Sequence, residues 1–135
     1  MAENIRLEVV TPEQSVVSEG AQIVMAPGTL GEFGVLAGHT PFLTTLKTGA
    51  LKYKDESGRE RFVFISGGFA EALPDRVTVL AESAERRKNI DVERAQAAAQ
   101  RAEERLQSSD KDVDFIRAKA ALLRAISRIQ LASTR

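Results

Sequence analysis

The sequence contains no cysteine, which removes disulfides, thiolate metal sites and a cysteine nucleophile from consideration and suits a reducing compartment. It has one histidine, His39, so a histidine-based metal site or nucleophilic triad lacks most of its parts. It has no excess of either charge, with 19 Lys plus Arg against 19 Asp plus Glu. No net field therefore draws the molecule onto nucleic acid or an anionic membrane, and nucleic acid is not expected as a partner. Nowhere do apolar residues run for the roughly 20 positions that cross a bilayer, so no direct membrane insertion is expected. The N-terminus MAENIRLEVV turns polar at once, without the apolar core of a signal peptide, and signals no export.

What is present is ordinary globular material: 135 residues, 43% hydrophobic and 28% charged. That length accommodates one compact core, or a core with an appendage. The chain changes character near residue 88. Before it, short strand-like runs are punctuated by glycine and proline. Ile5, Leu7 and Val9 alternate with Arg6 and Glu8, giving one dry face and one wet face. Further runs lie at 15–17, 21–25, 49–54, 61–66, 69–73 and 76–81. Asp55-Glu56-Ser57-Gly58 reads as a hairpin loop and Leu73-Pro74-Asp75 as a second turn. Many short strands with frequent turns predict an antiparallel β-sandwich over residues 1–85.

From Asn89 onward glycine and proline vanish and alanine, arginine, glutamate and glutamine dominate, which predicts helix. Ala95, Ala98, Ala102 and Leu106 keep helical spacing, as do Ala118, Ala121, Ala125, Ile129 and Ala132. Between them Gln107-Ser108-Ser109-Asp110 breaks the pattern and offers caps for a second helix, whose first turn would carry Asp112 and Asp114. The reading for 89–135 is an antiparallel two-helix hairpin with narrow alanine seams, and α+β is the fold class. Small seam residues bury little area at about 25 cal/mol per Å², so this hairpin is expected to be marginally stable. A mobile element on a firm sandwich serves either as a conformational switch or as an ordinary docked tail.

Little in the chain resembles an assembled active site. Glycines at 28, 31, 34 and 38 suggest a phosphate loop, but the Lys-Ser/Thr of a Walker loop and the spacing of a dinucleotide loop are both missing. Tight backbone turns between strands account for them. His39 is expected to hydrogen-bond locally before Pro41. With no nucleophile, base or metal cluster in view, the expectation is a protein that is not an enzyme.

The helical segments carry a more specific pattern. Arg94, Arg101 and Arg105 fall at i, i+7 and i+11, and Arg117, Arg124 and Arg128 repeat that spacing, so each trio shares a helix face. Two such faces turned toward each other can hold a polyphosphate. From spacing alone they read more readily as solvated surface paired with Glu103, Glu104 and Asp114 at helical spacing. Asp91 sits where a helix cap belongs.

At Gly31-x-x-Gly34-x-Leu36-x-Gly38-His39-x-Pro41, then Ser66-Gly67-Gly68-Phe69-Ala70-Glu71 and Ala81-Glu82-Ser83-Ala84-Glu85, the sequence resembles the epsilon subunit of bacterial and chloroplast F-type ATP synthases, equivalent to the mitochondrial delta subunit. The similarity spans the whole chain. It implies a ten-stranded sandwich bound to the rotating gamma subunit and resting on the c-ring of a proton-translocating synthase. It also implies a peripheral location at the cytoplasmic face of the bacterial cell membrane. The hairpin is then expected to fold against the sandwich, or to extend toward the alpha and beta subunits and restrain ATP hydrolysis.

Some bacterial members of that family bind ATP as a regulatory ligand in the folded hairpin. Their signature of Ile or Leu, Asp, two variable residues, Arg and Ala is matched by Ile90-Asp91-Val92-Glu93-Arg94-Ala95. Matched position by position, the resemblance implies an ATP site of Glu85, Ile90, Asp91, Arg94, Ala95, Arg101, Arg124 and Arg128. A stand-alone β-sandwich adaptor whose helices dock a partner is the competing reading.

Overall fold

A computed structural model describes residues 3–108 and 110–134. The chain divides into two compact units, Met1–Arg86 and Arg87–Arg135. Among the described residues the first contains seven strands: β1 (Ile5–Val10), β2 (Ser15–Gly28), β3 (Gly31–Val35), β4 (Phe42–Asp55), β5 (Glu60–Leu73), β6 (Arg76–Ala81) and β7 (Ala84–Arg86). The second opens with a 3-10 turn (Arg87–Asn89) and continues into α1 (Val92–Gln107) and α2 (Phe115–Ser133).

The register explains how seven continuous strands make the expected sandwich. β2, β4 and β5 are each 14 residues long, and each contributes one half to each of two layers. In one layer the order is the first half of β2, then β1, β6, the second half of β5 and the first half of β4. In the other it is β7, the first half of β5, the second half of β4, the second half of β2, then β3. Ten segments result, five to a layer. The β4 and β5 ladders skip Lys47 and Gly67 where they change layer, and β2 has register shifts between Ala21 and Ile23 and between Met25 and Gly28. Such irregularities let a strand bend from one sheet into the next. β1 and β6 pair in parallel and all other pairs are antiparallel.

Strand alternation turns one set of side chains inward. Ile5, Leu7, Val9, Val77 and Val79 from one layer meet Val24, Leu51, Tyr53, Val63 and Ile65 from the other in a single core. The glycine-rich stretch after Pro27 is more ordered than a series of turns. Only Thr29 and Leu30 form the turn, and Glu32–Val35 pair with β2 as a short strand. A two-residue connection needs positive φ nearby, which Gly31 supplies at φ 134° without a Cβ penalty.

The helices follow the alanine spacing, with Ala95, Ala102, Ala118, Ala125 and Leu131 buried. Asp91 and Asp114 are their N-caps: each side chain accepts from the backbone N–H three residues on, at 3.1 Å from Arg94 and 3.0 Å from Arg117. The cap of α2 is therefore Asp114 and not a residue of 107–110, of which Ser109 lies outside the described residues. Asp110 instead accepts from the Asp112 N–H at 2.9 Å. That local turn competes with helix and delays its start to Phe115.

Candidate functional site

The residues singled out in the sequence fall into both units. Glu85 lies on β7 opposite Phe64, in the first unit. The other seven belong to the second. Ile90 is buried ahead of the α1 cap. Asp91 is spent on capping: Oδ1 receives the Arg94 N–H and its carbonyl receives the Ala95 N–H at 3.0 Å. The structure thus joins Asp91, Arg94 and Ala95 through the backbone, and makes no ion pair between the Asp91 carboxylate and the Arg94 guanidinium. Ala95 is buried in the helix seam. Arg94 and Arg101 are exposed on α1, while Arg124 and Arg128 are half-buried on α2.

The electrostatic state of the arginines is the informative feature. The guanidinium groups of Arg94, Arg101, Arg105, Arg117 and Arg124 form no hydrogen bond or ion pair with any described residue. The helix-spaced pairs that Glu103, Glu104 and Asp114 allow are not made, and Asp114 caps α2 instead. Arg105 from α1 and Arg117 and Ala118 from α2 line one open cleft of about 340 Å³ with Asp112, Val113 and Asp114. Arg101 and Arg105 line a neighbouring hollow with Glu104, Ser108 and Val113. A polyanion would offer these guanidinium groups the charge-assisted hydrogen bonds that no described residue gives them.

A second surface lies on the outside of the sandwich. Register places Val10, Leu80, Phe69 and Thr45 side by side across β1, β6, β5 and β4, with Leu43 two residues further along β4. Leu43 is 69% exposed, Leu80 55% and Phe69 52%. Adjacent large apolar groups in water mark a docking surface better than scattered ones. Sequence reading missed this patch because each member sits at a polar position of its strand's alternation. Only the register gathers them. His39 makes the expected local contact, its Nδ1 within 2.7 Å of the Thr40 carbonyl, and its ring meets Phe42 edge-on at 5.0 Å.

Sequence reading also left the basic run Arg86-Arg87-Lys88 without a role. Arg86 donates from Nε to the Val16 carbonyl at 3.1 Å and from Nη1 to the Tyr53 hydroxyl at 3.2 Å, and its Nη2 lies 3.5 Å from Glu19 Oε2. Burial pushes the Tyr53 phenol above its ordinary value, with Arg86 opposing the rise. Two residues further along β4, Asp55 accepts from the Ser57 hydroxyl at 2.7 Å, the Ser57 and Arg59 amides at 3.0 and 2.9 Å and Arg61 Nε at 3.1 Å. These donors, the Ser57 hydroxyl foremost, hold its carboxyl far below the usual carboxylate range.

Among the described residues no helix is long and apolar enough to cross a membrane. Family models match both units. The model described as the ATP synthase delta/epsilon chain β-sandwich domain covers residues 4–87, and that of the delta/epsilon chain long α-helix domain covers 88–133. An ATP synthase epsilon chain of Desulfosudis oleivorans is 68% identical over 80% of this chain and 81% of its own. One of Desulforapulum autotrophicum is 71% identical over 78% of each. Among solved structures, a chain of the Euglena gracilis mitochondrial ATP synthase OSCP/F1/c-ring assembly superposes with a TM-score of 0.79 at 28% identity, covering 92% of this chain and 78% of that one. A chain of the Tetrahymena thermophila central stalk and c-ring shares the fold at a TM-score of 0.56 and 16% identity, over 98% of this chain and 96% of its own.

Proposed function

The chain belongs to the ATP synthase delta/epsilon family as an epsilon subunit of the F-type central stalk, and from that premise we propose that its helical hairpin is an ATP-sensing arm. The sandwich couples the rotor, its apolar patch of Leu43, Phe69 and Leu80 docking the gamma subunit while another part of its surface rests on the c-ring. The assembly is proton-translocating and stands at the cytoplasmic face of the bacterial cell membrane, with this chain held there peripherally. Extended toward the alpha and beta subunits, the hairpin restrains ATP hydrolysis. Folded, it holds ATP as a regulatory ligand and not as a substrate, and the chain itself performs no catalysis.

One observation supports the ATP reading above the rest: the guanidinium groups of Arg94, Arg101 and Arg105 on α1 and of Arg117 and Arg124 on α2 make no hydrogen bond or ion pair with any described residue. Arginines on two helices meet one triphosphate only when the helices lie side by side, so a bound polyphosphate favours the folded hairpin over the extended one. Arg101 from α1 and Arg124 and Arg128 from α2 supply the phosphate-facing charge, and Arg94 joins them by its match to the family signature. Ile90 and Ala95 are assigned to the site by their match to the family signature and Glu85 by its matched position alone, and Asp91 fixes the helix start on which Arg94 stands.

Titration of the full chain with ATP, followed by calorimetry and by backbone NMR, tests this. Saturable one-to-one binding, with the largest shifts on α1 and α2, is expected. No heat and no shifts at millimolar ATP would reduce the arginine faces to solvated surface. The family membership would stand unchanged.

A further inference from the structure

The two residues at the boundary between the units are both arginines, and their side chains are tied in opposite directions. Arg86, the last residue of the first unit, is fixed to Val16, Tyr53 and Glu19 within the sandwich. Arg87, the first residue of the second, donates from Nη1 to the Thr134 carbonyl at 2.9 Å. Thr134 is the C-cap of α2. A helix end exposes carbonyls that lack intrahelical donors and carries partial negative charge, and a cation at that end relieves both. α2 has no basic residue in its own last turn. Among the described residues, the cation at this end comes from 47 residues away.

We propose that Arg87 is the latch of the hairpin: it caps the C-terminal end of α2 from the root of the arm, and the arm extends only when that cap is broken. The inference rests on the reading of the hairpin as a moving arm, and it goes beyond the ATP site because Arg87 lies outside the matched residues. The geometry suits the role. α1 leads away from residue 91 and α2 returns, so the last turn of α2 arrives beside the 3-10 turn that carries Arg87. Any extension of the second helix along a partner separates Thr134 from Arg87, whereas fraying at the 108–114 connection does not.

Hydrogen exchange on the full chain, without nucleotide, tests the latch independently of ATP binding. Arg87→Ala should raise exchange about three- to ten-fold for the amides of the last two turns of α2, the scale of one lost charge-assisted hydrogen bond at a partly wet site. Arg87→Lys, which keeps a cation and a donor, should give a smaller rise. Lys88→Ala, an exposed neighbour, should give none. Should Arg87→Ala prove too loose to interpret, the ordering of lysine between arginine and alanine in the melting of the helical signal carries the test. The latch is overturned if Arg87→Ala leaves these amides unchanged, or if Lys88→Ala loosens them equally. It is also overturned if Arg87→Lys is as loose as alanine.

Discussion

Arg86 closes a contact with Tyr53 that runs from the last strand of the sandwich to the middle of its core, Nη1 to hydroxyl at 3.2 Å. Tyr53 is 1% exposed, so its hydroxyl has few alternatives to this donor. Arg86→Met should destabilise the sandwich by about 1 to 3 kcal/mol, because it strands the Val16 carbonyl, the phenol and Glu19 together. Tyr53→Phe removes both the acceptor and its need, and should cost less, about 1 kcal/mol. Urea unfolding followed by circular dichroism measures both.

The same pair has a spectroscopic signature, since Tyr53 is the only tyrosine in the chain. Its folded pKa is raised above 10.0, chiefly by burial, while Arg86 pulls it down. Removing Arg86 should therefore move tyrosinate formation to still higher pH, read by ultraviolet absorbance. The sign for stability follows: the contribution is fully present below pH 10.0 and is lost as pH rises through the raised folded value. A downward shift in Arg86→Met would show that the guanidinium does not act on the phenol.

Asp55 gives the opposite pH dependence at the other end of the scale. Its folded pKa lies far below the ordinary 3.8, so the unfolded state binds the proton more readily. The stability it contributes is present above pH 3.8 and is lost progressively as the pH falls from there toward the depressed value. Asp55→Asn keeps the shape but cannot accept with two charged oxygens. Its thermal midpoint should fall below wild type at pH 7, and the gap should narrow at pH 3. An unchanged gap would mean that the hydrogen bonds of the 55–59 loop, and not the charge, stabilise the turn.

How much of this was legible in the sequence depends on whether the signal was local. The alternation of Ile5, Leu7 and Val9, the hairpin loop at Asp55–Gly58 and the helical spacing of Ala95, Ala102, Ala118 and Ala125 are local patterns, and the structure contains all of them. Asp91 was legible as a cap for the same reason. The long strands were not, because a 14-residue strand that serves two layers changes its inward face partway and reads as two runs. β3 was hidden by the glycines that allow its tight approach to β2. The delayed start of α2 was hidden because Asp110, Asp112 and Asp114 are all chemically competent caps, and side-chain competition within the loop decides among them. The Val10, Leu80, Phe69 and Leu43 patch and the Arg87 contact with Thr134 depend on pairings distant in sequence, which no local pattern specifies.

Gly68 tests the strand crossover from one layer to the other. Its φ is +128°, and a Cβ there would run into the backbone of β6, meeting the Leu80 carbonyl oxygen, with the Ala81 Cα at 2.8 Å. Backbone cannot give way as a flexible side chain does, so Gly68→Ala should cost at least about 2 kcal/mol. Gly38 also has positive φ, at +83°, but faces open space. Gly38→Ala should cost only the conformational penalty, about 1 kcal/mol. Equal losses in the two variants would show that backbone conformation alone, and not the close packing of β5 on β6, sets the requirement at Gly68.

The proposed ATP site separates residues that touch the ligand from residues that shape it. Arg124 is half-buried on α2, and its guanidinium makes no hydrogen bond or ion pair with any described residue. Replacing it by alanine removes one charge-assisted contact of about 1.5 to 3 kcal/mol, which weakens ATP binding about ten-fold or more. It should leave the fold intact, because no described residue loses a bond. Asp91→Ala should also weaken binding, but by a different route. Its carboxylate repels phosphate, so any loss must come from fraying of the α1 start that positions Arg94, a cap worth about 1 kcal/mol. Asp91→Asn or Asp91→Ser restores a capping oxygen without the charge and should recover the affinity, whereas a role for the charge itself predicts no recovery. Glu104→Ala, at a residue outside the matched set, should change affinity little or improve it slightly by removing a like charge. Calorimetry across wild type and these variants reads all of this at once, and equal affinities throughout would remove Arg124 and Asp91 from the site.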